Sequence, residues 1–202
     1  MSIEKITSYL IHPIIFGVVA TITYFILLPE FLPEDFKLQI IFIVFISTYI
    51  IPVLFLFLLK SFGSIHSFHL SQIHERKFPV FFFIILNLLL AYRLFQIPKL
   101  ELLSLFFLSS TISLFIVYLF LLVKIKLSLH TLSLGLFTTF IALISYHYKI
   151  DLILPISFLI LLSGYIAHVR LKLKAHTHFE VYLGYLIGVV TEISCYYFIF
   201  KG

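Results

Sequence analysis

The chain has 202 residues, 62% of them hydrophobic and only 11% charged, with a mean hydropathy of +1.17 and a formal net charge of +5. A soluble domain is nearer half apolar and a quarter charged, so these figures exclude an ordinary water-soluble protein and point to an integral membrane protein. The modest positive charge bears on topology and anionic lipid rather than on nucleic acid.

Seven apolar runs follow in chain order: Ile11–Leu32, Leu38–Leu59, Pro79–Phe95, Leu102–Val123, Leu127–Tyr148, Leu152–Val169 and Val181–Phe200. Each is long enough to cross about 30 Å of hydrocarbon as a helix. None alternates polar with apolar residues, which argues against a β-barrel. The expectation is an all-α polytopic bundle of six to seven spanning helices, forming one membrane domain over residues 1–202. The count falls to six if the third run, which is short and carries Arg93 near its end, does not span. Pro13, Pro52, Pro79 and Pro155 are expected at or near helix ends, where a missing N–H costs least. The first run has no small-residue cleavage site, so no removable signal peptide is expected. The one cysteine, Cys195, lies in the last run and excludes a disulfide framework and a thiolate metal site. Gly184 and Gly188 form a small-xxx-small pattern that favours close helix packing.

Alternation of the runs puts the N-terminus and the connections 60–78, 124–127 and 170–180 on one face. That face holds Lys5, Lys60, Arg76, Lys77, Lys124, Lys126, Arg170, Lys172 and Lys174, against Lys37, Arg93, Lys99, Lys149 and Lys201 on the other. The positive-inside rule therefore makes the first face cytoplasmic, with the extracytoplasmic side as the alternative. The same face carries His66, His69, His74, His130, His176 and His178, so these side chains can converge on one site. A bacterial inner membrane is the expected location.

Three constellations on this face carry chemistry. "SIHSFHLSQIHERKFP", Ser64 to Pro79, ends on a Pro expected to start a helix and supplies Arg76 and Lys77 just before it. "KIKLSLHTLSLG", Lys124 to Gly135, places Ser128 and His130 at a helix N-terminus, where free N–H groups and the dipole favour an anion. There His130 can protonate a leaving oxygen. "RLKLKAHTHFEVYLG", Arg170 to Gly184, has Arg170 on a connecting loop, where its planar fork suits a phosphoryl group. His176 and Glu180 are four apart at the expected start of the last helix and hence on one face. A carboxylate that fixes one imidazole nitrogen leaves the other free as base or nucleophile. Lys172 and Lys174 need only solvent or headgroups.

Arg170-x5-His176-x3-Glu180, followed by spaced glycines, resembles the third motif of the type 2 phosphatidic acid phosphatase superfamily, Ser-Arg-x5-His-x3-Asp. Val169 stands in place of the Ser, and Glu180 replaces the Asp with its charge kept. Ser128-Leu129-His130 resembles the second motif, Pro-Ser-Gly-His, without its Pro and Gly. "HERKFP" resembles the tail of the first motif, Lys-x6-Arg-Pro, without the upstream Lys and with one residue between Lys77 and the Pro. The resemblance spans about Ser64 to Gly188. It implies a phosphatase-like core over about 60–200, with an extra N-terminal helix over about 11–32. It also implies metal-independent hydrolysis of a lipid or polyprenyl phosphate or pyrophosphate, with no cofactor. In that scheme His176 attacks phosphorus and forms a phosphohistidine, Glu180 orients it, and His130 protonates the leaving alcohol. Arg170, with Arg76 or Lys77 and Ser128, holds the phosphoryl oxygens. The expected partners are the lipid phosphate substrate and the bilayer.

Two alternatives stand beside this. One is a His-rich membrane di-iron oxygenase, suggested by His66-x2-His69 with His74, His176 and His178 on the same face. The other is a lipid-binding protein without turnover or a transporter, for which Asn87, Ser109, Ser110, Ser163 and above all Glu192 are the polar groups placed inside spans.

Overall fold

The structure, a computed structural model of the chain, describes residues 3–28, 32–66, 70 and 72–201. Among these residues it is all helix, with α1 (Ile3–Leu10), α2 (Phe16–Leu27), α3 (Glu34–Phe45), α4 (Ile51–Ser61), α5 (Ile73–Phe95), α6 (Glu101–Leu122), α7 (Leu129–Tyr148), α8 (Ile153–Lys172) and α9 (His178–Phe200). A 3₁₀ turn at Pro13–Ile15 joins α1 to α2, and a π turn at Ile46–Ile50 joins α3 to α4. Counted through those turns, seven spans are long and apolar enough to cross a membrane. The chain is an integral membrane helical bundle.

Helix α7 is the most enclosed span, and its sequence says why. It is rich in Ser, Thr and Gly, and lipid already satisfies apolar side chains, so small residues that let backbones approach go to the middle. Gly135, Gly184 and Gly188 lie in the α7–α9 contact, where a Cβ on Gly188 would stand 2.3 Å from the Leu132 carbonyl oxygen. Thr131 Oγ1 donates to the Val181 carbonyl across the same seam (2.8 Å). Helix α8 does the reverse: Ile153, Leu154, Phe158 and Leu161 face outward, as an apolar exterior in lipid allows.

Several expected boundaries shift. Pro79 sits inside α5, six residues past its start, and does not begin it. The start is instead set by a capping box in which Gln72 and Glu75 satisfy each other's backbone N–H groups. The third run thereby gains two turns and spans. Pro52 lies within the second span, just after the π turn, a widening that accommodates the ring without breaking the span.

The expected two-faced arrangement is visible in contacts. Glu4 pairs with Lys172 (2.5 Å) at one end. At the other, Tyr24 donates to the Lys99 carbonyl (2.6 Å) and Tyr148 Oη lies 3.1 Å from Tyr24 Oη.

Candidate functional site

At the Glu4–Lys172 end, a cavity of about 740 Å³ opens among spans one, two, three, four, five and six. Its head is polar and cationic, formed by Arg76 from α5, Lys126 from the α6–α7 connection, His130 from α7, Arg170 from α8 and His176 from the α8–α9 connection. Phe16, Leu56, Phe83, Phe106, Leu114 and Leu136 make its apolar depth. Asn87 also lines it and lies eleven residues past Arg76 on α5. At 1.5 Å per residue the cavity therefore reaches about 16 Å toward the bilayer centre. The inner residues of the π turn, Ser47 and Thr48, line it too, in keeping with the frequent use of such turns at sites.

His176 is buried, and its Nδ1 lies 2.8 Å from the Lys126 carbonyl oxygen. A carbonyl only accepts, so Nδ1 carries the hydrogen and Nε2 keeps its lone pair. The Glu180 carboxylate stands 3.5 Å from the same nitrogen. Burial, reinforced by the nearby Arg170 and Arg76 guanidiniums, pushes His176 down to about 4, so it is neutral at pH 7. Lys126 is also held below its usual value, by burial first and then by Arg76.

The expected placement of His176 and Glu180 on one helix face is corrected. Helix α9 begins at His178, and Thr177 is its N-cap, in a capping box with Glu180. Glu180 accepts from the Thr177 N–H (2.9 Å) and from the Lys126 N–H (3.1 Å). It therefore fixes the two backbone segments that carry His176 and Lys126, and the Lys126 carbonyl is the nearer group on the imidazole. The Thr-x-x-Glu pattern in "THFE" is the sequence signal for that cap.

Arg170 lies in the last turn of α8 and not on a loop. Its Nη1 donates to Ser8 Oγ (2.5 Å), and its buried Nε has no hydrogen-bond partner. His130 Nε2 meets the Ser8 carbonyl at 3.1 Å and Ser8 Oγ at 3.3 Å. His12 packs edge-on to His130, ring centroids 5.6 Å apart. Ser8 and His12 precede the expected core of about 60–200, His12 within the extra N-terminal helix of about 11–32, yet both line the head of the cavity. No local motif announces them; only the sorting of connections onto one face bears on them. Lys126, read as a topology charge, is likewise a cavity residue.

Ser128 and Lys77 are placed elsewhere. The Ser128 hydroxyl is buried, accepts from Thr131 N (3.5 Å) as the N-cap of α7, and is not among the cavity's lining groups. Lys77, roughly 100° around α5 from Arg76, faces a second cavity shared with His74 and His178. His66 Nδ1 pairs with Glu75 (2.6 Å), and His69 lies outside the described residues. Among the described residues no three His, Cys, Asp or Glu side chains gather into a group able to hold a metal ion. Of the histidines named for the oxygenase alternative, His74, His176 and His178 line that second cavity without gathering into such a group. Glu192 is wholly buried in α9, and neither carboxyl oxygen has a hydrogen-bond partner.

Arg76, Lys126 and Arg170 thus converge beside two histidines. Among the described residues none of the three cations is within ion-pair distance of a carboxylate. Gathering cations in a half-buried head is costly unless an anion joins them. Such a head above an apolar shaft has the form of an anionic amphiphile. Comparison of the chain with protein-family models, with curated proteins and with solved structures finds no match.

Proposed function

We propose that the chain is a membrane phosphatase that cleaves a lipid or polyprenyl phosphate or pyrophosphate through a phosphohistidine at His176. The observation that carries this reading is the cationic head, none of whose three cations is ion-paired among the described residues, with a neutral His176 and the unpartnered Arg170 Nε, at the top of the apolar cavity. Phosphoryl transfer asks little covalent work of a protein beyond a positioned nucleophile and cations around the equatorial oxygens.

In the first half-reaction Arg76, Lys126 and Arg170 hold the phosphoryl oxygens, and His176 Nε2 forms a bond to phosphorus. The bond from phosphorus to the leaving oxygen breaks, and His130, which takes up a proton as the phosphate anion joins the guanidiniums, hands that proton to the leaving oxygen. In the second half, His130 takes a proton from the attacking water, the N–P bond breaks and inorganic phosphate leaves. The Lys126 carbonyl accepts from His176 Nδ1 throughout, which fixes the ring and stabilises the charge it acquires. Glu180 keeps the two segments in register.

The test is phosphate release by the purified protein in detergent with chelator present, from phosphatidic acid, phosphatidylglycerol phosphate and polyprenyl phosphates. No release from any of them sinks the catalytic reading. Where release occurs, its pH profile follows from His176. The nucleophile is competent when neutral, and its value is lowered from the usual 6.5 to about 4. The acid limb of kcat/KM is therefore expected well below pH 6.5, and a limb at 6.5 or above would contradict the assignment. Ser8→Ala removes a hydroxyl bonded to a guanidinium, worth about 1.5–3 kcal/mol. A loss of at least about tenfold in kcat/KM without unfolding is expected; unchanged kinetics would remove Ser8 from the site.

A second reading is an amphiphile-binding protein without turnover. It is favoured by Ser128, whose hydroxyl is spent on the α7 cap, and by Leu129, whose side chain forms part of the cavity wall. Binding of the same lipids without phosphate release would select it.

A further inference from the structure

His176 is a wall between two chambers. Behind it lies a second cavity of about 870 Å³, with Lys77 and His74 from α5, Lys124 and Lys126 from the α6–α7 connection, and Lys174 and His178 beyond α8. His176, Lys126 and Lys174 line both cavities. Arg76 and Lys77, adjacent on α5, are divided between them by the helical rotation of roughly 100° per residue.

The two chambers differ in chemistry. The first has a cationic head and a long apolar shaft. The second is lined by four lysines and three histidines, counting His176, and has one carboxylate, Glu180. That carboxylate already accepts from the Thr177 and Lys126 N–H groups and stands beside His176. Among the described residues none of the four lysines is within ion-pair distance of an acid. A basic surface that serves only positive-inside topology has no reason to be concave, to draw on three separate segments, or to end on the imidazole of the neighbouring cavity.

We propose that this second chamber is an anion site that takes a phosphoryl group on the far side of His176. It rests on the reading that His176 carries the phosphoryl group. The amphiphile lies in the apolar cavity, where water frees phosphate from His176 Nε2, and the second chamber, which shares His176, Lys126 and Lys174 with the first, takes the anion up on its lysines. The same chemistry has two sources: the inorganic phosphate released from His176, or the terminal phosphoryl of a diphosphate substrate.

The test is calorimetric titration of inorganic phosphate, and separately of pyrophosphate, into the purified full chain in detergent. Wild type, His176→Ala and the double variant K77Q/K124Q are compared, with circular dichroism as the folding check. His176→Ala, which cannot form a phosphohistidine, is expected to keep binding phosphate, whereas K77Q/K124Q weakens binding at least tenfold. The charge-conserving K77R/K124R variant retains it, which guards against a fold defect. No binding by folded wild type, or equal affinity in K77Q/K124Q, overturns the proposal. Kinetics separate the sources. Relief of product inhibition by phosphate in K77Q/K124Q marks released phosphate as the occupant, and a selective fall in diphosphate turnover marks the terminal phosphoryl; either supports the site. If phosphate binds as stated but no lipid phosphate is hydrolysed, the catalytic reading fails and the anion site stands. If hydrolysis occurs and binding ignores the lysines, the reverse holds.

Discussion

His176→Ala is expected to reduce phosphate release to the uncatalysed background, a loss of at least about a thousandfold, while the protein stays folded. In the proposed scheme no other group takes its part. The Arg76, Lys126 and Arg170 cations have no lone pair to offer, and His130, its Nε2 held on the Ser8 carbonyl, serves the leaving oxygen. Loss of a nucleophile removes the covalent route altogether, so the effect falls on kcat rather than on KM. Folding should survive, because the buried ring's hydrogen bond to the Lys126 carbonyl is worth about 1 kcal/mol net. Thermal unfolding in detergent beside the release assay separates the two effects. Residual release above a tenth of wild type, in a folded protein, would mean that His176 is not the nucleophile.

The second large effect is on stability. Gly188→Val is expected to destabilise the bundle by about 3 kcal/mol or more. Even the first added carbon stands 2.3 Å from the Leu132 carbonyl oxygen and 2.8 Å from the Leu136 nitrogen, both backbone atoms that cannot turn aside. Valine's further methyls worsen the conflict. The contact is doubled from the other side, where a Cβ on Gly135 would meet the Tyr185 carbonyl oxygen at 2.4 Å. Gly164 is the control. It too lies inside a helix, but nothing stands within 4 Å of its Cβ position. Gly164→Ala should therefore leave the unfolding temperature unchanged or raise it slightly, since Ala favours helix by up to about 1 kcal/mol. Equal loss in both variants would show that helix propensity, not the α7–α9 seam, governs the result. The seam also reaches the site: the Ser128 N–H donates to the Glu180 carbonyl (3.1 Å), so parting α7 from α9 displaces the segments bearing Lys126 and His176.

The bundle was legible because lipid imposes one rule at a time. An apolar run must be a helix, and consecutive runs must alternate direction. That alternation also brought Arg76, His130, Arg170 and His176 to one end, where the structure has them around one cavity. Local geometry was less legible because two forces compete at helix starts. Pro79 advertises a beginning, but the Gln72–Glu75 box satisfies two orphan N–H groups and starts α5 earlier. Glu180 looked like a partner for His176 by spacing alone; the Thr177 cap claims its carboxylate first and leaves it 3.5 Å from the ring. Arg76 and Lys77 were interchangeable on a loop and are not on a helix, where neighbours face different chambers. Ser8 and His12 were out of reach, since their part in the cavity depends on how α1 lies on α8, a tertiary contact with no local signature.

If the phosphoryl group passes through His176, it can be trapped there, and that trap is the most direct measurement. The purified chain would be mixed with a phosphorus-labelled polyprenyl or phosphatidyl phosphate in detergent with chelator, quenched in alkali within the first turnovers, digested and read by mass spectrometry. The expected result is an acid-labile, alkali-stable phosphoryl adduct on the peptide bearing His176, appearing before free phosphate and absent from His176→Ala. Phosphate release at full rate without any such adduct, or with the adduct on another residue, would contradict it.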